Sequence, residues 1–284
     1  MKRSISLFFG CVMALAPLAA PALSEGMEKT LGSVTFAVKE IYYDGRVAML
    51  TVRQTAPQSD AVLVDEIFRA SPENNPAYGG EGDAGHTIPT YCDISISYEK
   101  DGERIGGLGA RGGSMSRGNP LDSYGLMSSM PLEVSPDSVE ALITIATLTR
   151  QLDAYEEMDS LRLDIPKTDR PLVDAALDLD VGPTAVRHIV VSHTPELLIV
   201  HVYHQLSEGE GGRDFSVYPC GDTVLEHRYG DTEVMEGNGW VRVNKGFALG
   251  KGDPRPEALR LHYDGGTAKE LIVDLVAGTV EVRK

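Results

Sequence analysis

Two histidines, His188 and His201, stand in neighbouring apolar runs, Val186–Ser192 and Leu197–His204. If the chain reverses between Thr194 and Pro195, the two face each other across a hairpin, and imidazoles so placed can share a metal ion. On the opposite face Ile189 and Val191 meet Leu198, Val200 and Val202 as core, which leaves the histidines on the outer face with Val190, Ile199 and Tyr203. No third ligand with a recognisable spacing follows, and His204 falls on the other face from His201. The bland alternative is a half-covered surface pair. A second pattern, Gly107-Leu-Gly-Ala-Arg-Gly112, has the GxGxxG spacing of dinucleotide loops. That chemistry requires a helix directly after the glycines, whose N-terminal N–H groups meet the pyrophosphate. The residues that follow, GSMSRGNP, cannot form one, so the stretch reads as a glycine-rich loop and no cofactor is expected. Nucleophilic hydrolysis has no GxSxG or HExxH pattern to rest on, and Ser114 has no assigned base. The carboxylates are scattered over polar strand faces, where solvation accounts for them. Tyr78, Tyr91 and Tyr124, with Arg111, lie in or beside long loops and form the candidate ligand-binding set.

The elements that would position these residues are strands. Val34 to Gln54 reads VTFAVKEIYYDGRVAMLTVRQ, two β-like runs about a single Asp44-Gly45. A two-residue loop there suits a type I′ turn, with positive φ at both central residues. Counting back places Ile41 opposite Ala48 and Lys39 opposite Leu50, which puts Phe36 and Val38 on the wrong face. One extra residue at Lys39-Glu40, a β-bulge, realigns Val38 with Leu50 and Phe36 with Val52. Further strands are expected at Cys92–Tyr98, Ser138–Leu148 and Ser160–Ile165, then at Val173–Val181, Val186–Ser192, Leu197–His204, Phe215–Pro219, Gly239–Asn244, Glu257–Tyr263, Lys269–Val276 and Thr279–Arg283. Asp60–Ala70 reads as a short helix. Ser71–Gly85 and Gly106–Pro120 are too rich in Gly, Pro and Asn to be regular and read as long loops. Short strands with turns between them indicate β-sandwiches. The expected fold is all-β, with two tandem immunoglobulin-like β-sandwich domains at 27–166 and 171–284 after a signal peptide at 1–24.

The leader expectation rests on Lys2 and Arg3, then an uncharged apolar run, then small residues around Ala20, Ala22 and Ser24. Pro17 and Pro21 interrupt that run before the ~20 residues a membrane span needs. Lipidation at Cys11 is an alternative that Phe8-Phe9-Gly10 serves poorly. The 284-residue chain carries a net charge of −16, and removing residues 1–24 deletes two bases and no acid. Such a chain repels phosphate backbones, so nucleic acid is not an expected partner. Membrane contact is expected only if the leader is retained or lipidated. Cys92 alternates in phase with Ile94 and Ile96 and faces a core, whereas Cys220 sits at a strand end. Whether the two are bridged stays open.

The Val34–Val38 strand, the Tyr43-Asp44-Gly45 turn and the Val47–Val52 strand resemble the first hairpin of an immunoglobulin-like domain of unknown function, best known as the extracellular part of Gram-positive anti-sigma factors. From about Leu172 the chain looks like the companion β-sandwich domain that often follows it. Those anti-sigma factors place a cytoplasmic sigma-binding region before their membrane helix, and here only Met1-Lys2-Arg3 precede the apolar segment. The resemblance therefore implies an exported sensing or binding ectodomain and offers no catalytic residue to transfer. The expected function is non-enzymatic binding of a protein or cell-wall ligand through loops around 71–89 and 104–131. The alternatives are a secreted hydrolase or carbohydrate-binding accessory, and a structural spacer.

Overall fold

The structure is a computed structural model that describes residues 25–31, 34–56, 90–106, 122–128, 130–148, 155–181, 184–205, 214–235, 239–249, 254–264 and 269–283. The leader, the expected helix at 60–70, and the loops at 71–85 and 107–120 lie outside these residues. Among the described residues there is no helix, and every strand pairing is antiparallel.

The first half contains β1 (Glu28–Leu31), β2 (Val34–Tyr43), β3 (Ala48–Ala56), β4 (Thr90–Lys100), β5 (Glu103–Gly106), β6 (Asp122–Met127), β7 (Ser138–Leu148) and β8 (Tyr155–Pro166). They form two four-stranded sheets, ordered β1-β2-β3-β6 and β5-β4-β7-β8. Because side chains alternate along a strand, each sheet presents one apolar face. Phe36, Val38, Leu50 and Val52 from the first meet Ile94, Ile96, Ile143, Leu163 and Ile165 from the second in one core. Burying each such side chain contributes about 1.5–3 kcal/mol. The sheets approach closely at Gly125, where an added Cβ would lie 2.5 Å from Ile94 Cγ2 and 2.8 Å from the Ile94 carbonyl oxygen. Only a residue without a side chain fits there.

The second half contains β9 (Val173–Asp180), β10 (Ala185–His193), β11 (Leu197–Gln205), β12 (Phe215–Cys220), β13 (Leu225–Val234), β14 (Trp240–Leu249), β15 (Ala258–Tyr263), β16 (Glu270–Asp274) and β17 (Thr279–Arg283). A five-stranded sheet, β13-β14-β11-β10-β9, faces a four-stranded sheet, β12-β15-β16-β17. Val186, Ile189, Val191, Val200, Val202 and Val243 of the larger sheet close on Phe215, Leu259, Leu261, Leu271 and Val273 of the smaller. The extended chain between β8 and β9 is pinned to the first hairpin. Thr168 and Asp169 both donate their backbone N–H to the Tyr43 carbonyl, at 3.1 and 3.3 Å.

The first hairpin keeps the expected bulge but not the expected register. Val38 pairs with Val52 and Glu40 with Thr51, so Lys39 is the extra residue. Nearer the turn Ile41 pairs with Leu50 and Tyr43 with Ala48, two residues displaced from the count based on Asp44-Gly45. The reason lies in the turn: Asp44 N–H bonds the Val47 carbonyl, so the central pair is Gly45-Arg46. Within this turn positive φ occurs at Gly45 alone, at 93°. Glycine first in the loop is the type II′ arrangement rather than type I′.

Candidate functional site

The two halves meet through the outer faces of β3 and β6 on one side and β11 and β14 on the other. Tyr42, Val47, Met49, Tyr124 and Leu126 pack there against Leu197 and Ile199 in a third apolar cluster. Both hairpin turns point into this junction and are built alike. In the first, Asp44 Oδ1 accepts the N–H groups of Arg46 and Val47 at 2.7 and 2.8 Å, while Oδ2 accepts the Tyr42 hydroxyl at 2.7 Å. In the second, Thr194 Oγ1 accepts the N–H groups of Glu196 and Leu197 at 3.3 and 2.9 Å. Such side-chain acceptors satisfy turn N–H groups that no strand can reach.

Arg46 bridges the halves. Its Nη1 donates to the carbonyls of Pro131, Leu132 and Val134, and its Nε donates to Asp174 Oδ2 on β9 at 2.8 Å. The other oxygen of Asp174 lies 2.6 Å from His188 Nε2 on β10. Burial alone would raise the Asp174 carboxyl, but the hydrogen bonds and charges of His188 and Arg46 outweigh it and hold it below the ordinary carboxylate range. A histidine oriented by a carboxylate can serve a catalytic base. Here the carboxylate is shared with a guanidinium, and the imidazole meets the Tyr203 ring edge-on at 6.0 Å. The arrangement is a clasp between sheets.

The expected pairing of His188 with His201 is not formed. His188 lies opposite Tyr203, and His201 opposite Val190, because the turn closes at His193 and Leu198 and shifts the register by two. The parity survives, so both histidines share the expected face. That face is not outer in the sense foreseen: Val190, Ile199, His201 and Tyr203 are all buried beneath or beside the first half. His201 is held neutral, its pKa lowered to about 3 by burial and next by the charge of Arg242. Among the described residues, no group of three or more His, Cys, Asp or Glu is placed to hold a metal.

The other candidate residues separate. Tyr124 is 7 % exposed and belongs to the junction cluster, so it is no surface platform. Tyr78 and Arg111 lie outside the described residues, as does the side chain of Tyr91. Cys220 is an exposed free thiol, while the Cys92 side chain is outside the description. A pattern that sequence reading took to be absent is present: Ser97-Tyr-Glu-Lys100 has the SxxK spacing of some acyl-transfer enzymes. Residues three apart on extended β4 point to opposite faces, and Ser97 is buried while Lys100 is exposed. The exposed tyrosine is Tyr218, 46 % accessible, with the Arg260 guanidinium 5.3 Å from its ring centroid. Strand alternation along FSVYPC and ALRLHY would have found that pair had the small sheet's outer face been read.

The registers also fix where the long connections leave the first half. Ala56 ends β3 opposite Thr35, and Asp122 opens β6 opposite Arg53. Thr90 opens β4 opposite Thr147, and Leu148 pairs with Tyr155. All lie at the end of the sheets away from the Asp44 turn and the Pro166 end of β8. Ala56, Thr90 and Asp122 thus share that end, whereas Gly106 pairs with Ser97, toward the Ser138 end of β7.

No known protein family matches this sequence, and no curated protein does. Among solved structures it is similar to the conserved domain protein from Bacillus anthracis, at 14 % identity over 91 % of this chain and 84 % of that one, with a TM-score of 0.41. A likeness so distant carries no argument about function.

Proposed function

We propose that this chain is an exported, non-enzymatic binding or sensing protein of the bacterial cell envelope, built as two tandem immunoglobulin-like sandwiches, 27–166 and 171–284, behind a cleaved leader. The observation that carries the reading is that Ala56 and Thr90, which bound the longest connection, lie with Asp122 at one end of the first half, while Gly106 lies toward the other. Loops mounted together on a strand scaffold are where recognition concentrates. The second half and the Arg46 clasp then hold the first half by its opposite end, leaving the loop end clear for a protein or wall-associated ligand.

The test replaces residues 107–120 with a short Gly-Ser link and compares capture of envelope proteins and purified cell-wall sacculi by the two forms. Loss of capture with unchanged melting supports the assignment; undiminished capture sinks it. Intact mass of the native protein addresses export separately: a chain starting at Leu23 or Glu25 is expected, and retention of Met1 overturns the leader.

A further inference from the structure

The junction face of the five-stranded sheet carries polar side chains where most buried faces carry apolar ones. His201 on β11 stands directly opposite Asn244 on β14, and Tyr203 opposite Arg242. Tyr229 on β13 pairs with Gly246, and its ring occupies the space a Cβ would need there, 2.1 Å from the nearest ring atom. His201, Arg242 and Asn244 are 2–3 % exposed. Asn244 donates its amide to Ser128 Oγ on the first half at 3.0 Å. Four polar atoms then remain enclosed without a partner at hydrogen-bond geometry: Asn244 Oδ1, His201 Nε2, Arg242 Nε and the Tyr229 hydroxyl; Asn244 is the polar neighbour of His201 and Ser128 that of Tyr229. Folded proteins leave only a few such groups scattered through a domain, and four gathered on one face call for a partner.

The chemistry of the four atoms defines that ligand. Arg242 Nε–H can only donate and Asn244 Oδ1 can only accept; the Tyr229 hydroxyl does both, and neutral His201 takes either role with its tautomer. Arg242 is already paired with Glu233, so neither a cation nor an anion meets an uncompensated charge there, and an anion is further disfavoured beside the carboxamide oxygen. A small neutral molecule with two donors and two acceptors matches the set, and water requires two to four such partners. We infer that the junction is a built site for ordered water, which bridges His201, Asn244, Tyr229 and Arg242 and supplements the direct Asn244–Ser128 bond between the two halves.

The test is the sign of a stability change. Tyr229→Phe keeps the ring over Gly246 and removes only the hydroxyl. With bridging water the change breaks a satisfied network, and Tm falls by roughly 2–4 °C. In a dry seam it deletes an unpartnered polar group, so Tm stays level or rises, which overturns the inference. A crystal structure of the unaltered protein gives the second readout: solvent density within hydrogen-bond reach of His201 Nε2 and Asn244 Oδ1 is expected, and an empty seam with these side chains in place overturns it.

Discussion

The turn Asp44-Gly45-Arg46-Val47 and the turn Thr194-Pro195-Glu196-Leu197 close equivalent hairpins with the same hydrogen bonds, yet they use opposite chemistry. In each, the first residue's N–H bonds the fourth residue's carbonyl and its side-chain oxygen caps the third and fourth N–H groups. Each also sends its third residue into the other half: Arg46 to Asp174, and Glu196 to Lys39 at 3.3 Å. Their fourth residues, Val47 and Leu197, enter the same apolar cluster. The first turn is charged and enclosed but for part of Arg46, with a buried carboxylate at its centre. The second does the same work with a neutral hydroxyl and a proline that pre-sets its φ. Matching geometry therefore conceals unequal dependence on single atoms.

The difference is largest at the capping residues. Asp44→Ala strips three donors, Arg46 N–H, Val47 N–H and the Tyr42 hydroxyl, of an acceptor shut away from water. It should destabilise the protein by about 3–5 kcal/mol in urea unfolding. Thr194→Ala removes only a hydroxyl from a turn whose backbone bond remains, and about 1–2 kcal/mol is expected. Equal losses would break the comparison. A second pair probes the partner strands. Gly125→Ala drives a methyl into the Ile94 carbonyl, which a sheet cannot move, whereas Gly246→Ala meets the Tyr229 ring, which can turn at a cost. About 3 kcal/mol is expected for the first and 1–2 for the second.

Much of this was legible in the sequence, and the failures have identifiable causes. Alternation located β7 to its last residue and placed the bulge at Lys39, because Phe36 and Val38 must share a face with the core. Register at both turns was wrong by two, since a capped turn carries its closing pair inward and a residue count cannot see the cap. Strand β13, LEHRYGDTEV, was missed because it is an edge strand, exposed along most of its length, and shows no apolar period. Tyr124 and His201 looked like surface residues because alternation reports only that a face is not the core of its own sheet pair. It does not report that another sheet covers that face.

Histidine burial adds a pH dependence concentrated in the second half. His201, with an unfolded value of 6.5 and a native pKa lowered to about 3, binds its proton more readily in the unfolded chain. His193 and His204 are shifted in the same direction, chiefly by burial. Stability is therefore complete above pH 6.5 and falls as the pH drops toward the native values. For His201 alone the loss is about 2 kcal/mol by pH 5. His201→Leu should flatten that limb in a series of urea melts between pH 7 and pH 5; an unchanged slope would show that this histidine titrates alike in both states.

The smallest expected difference is between the two reciprocal ion pairs. Arg46 is mostly enclosed and makes carbonyl contacts as well as its pair with Asp174. Arg46→Met should cost about 1–2 kcal/mol, and it should also lessen the acid-side loss due to Asp174, which His188 then holds down alone. That carboxyl is depressed in the native state, so its contribution is present above its unfolded value near 3.8 and disappears as the pH falls through the lower native one. Glu196 and Lys39 are both partly solvated, and Glu196→Gln should cost less than about 1 kcal/mol. Raising salt should narrow the gap between Glu196→Gln and the parent while leaving the Arg46→Met gap nearly intact, because screening reaches exposed pairs first. If both gaps closed together, the two turns would be equally solvated, and the contrast between them would reduce to the capping residue alone.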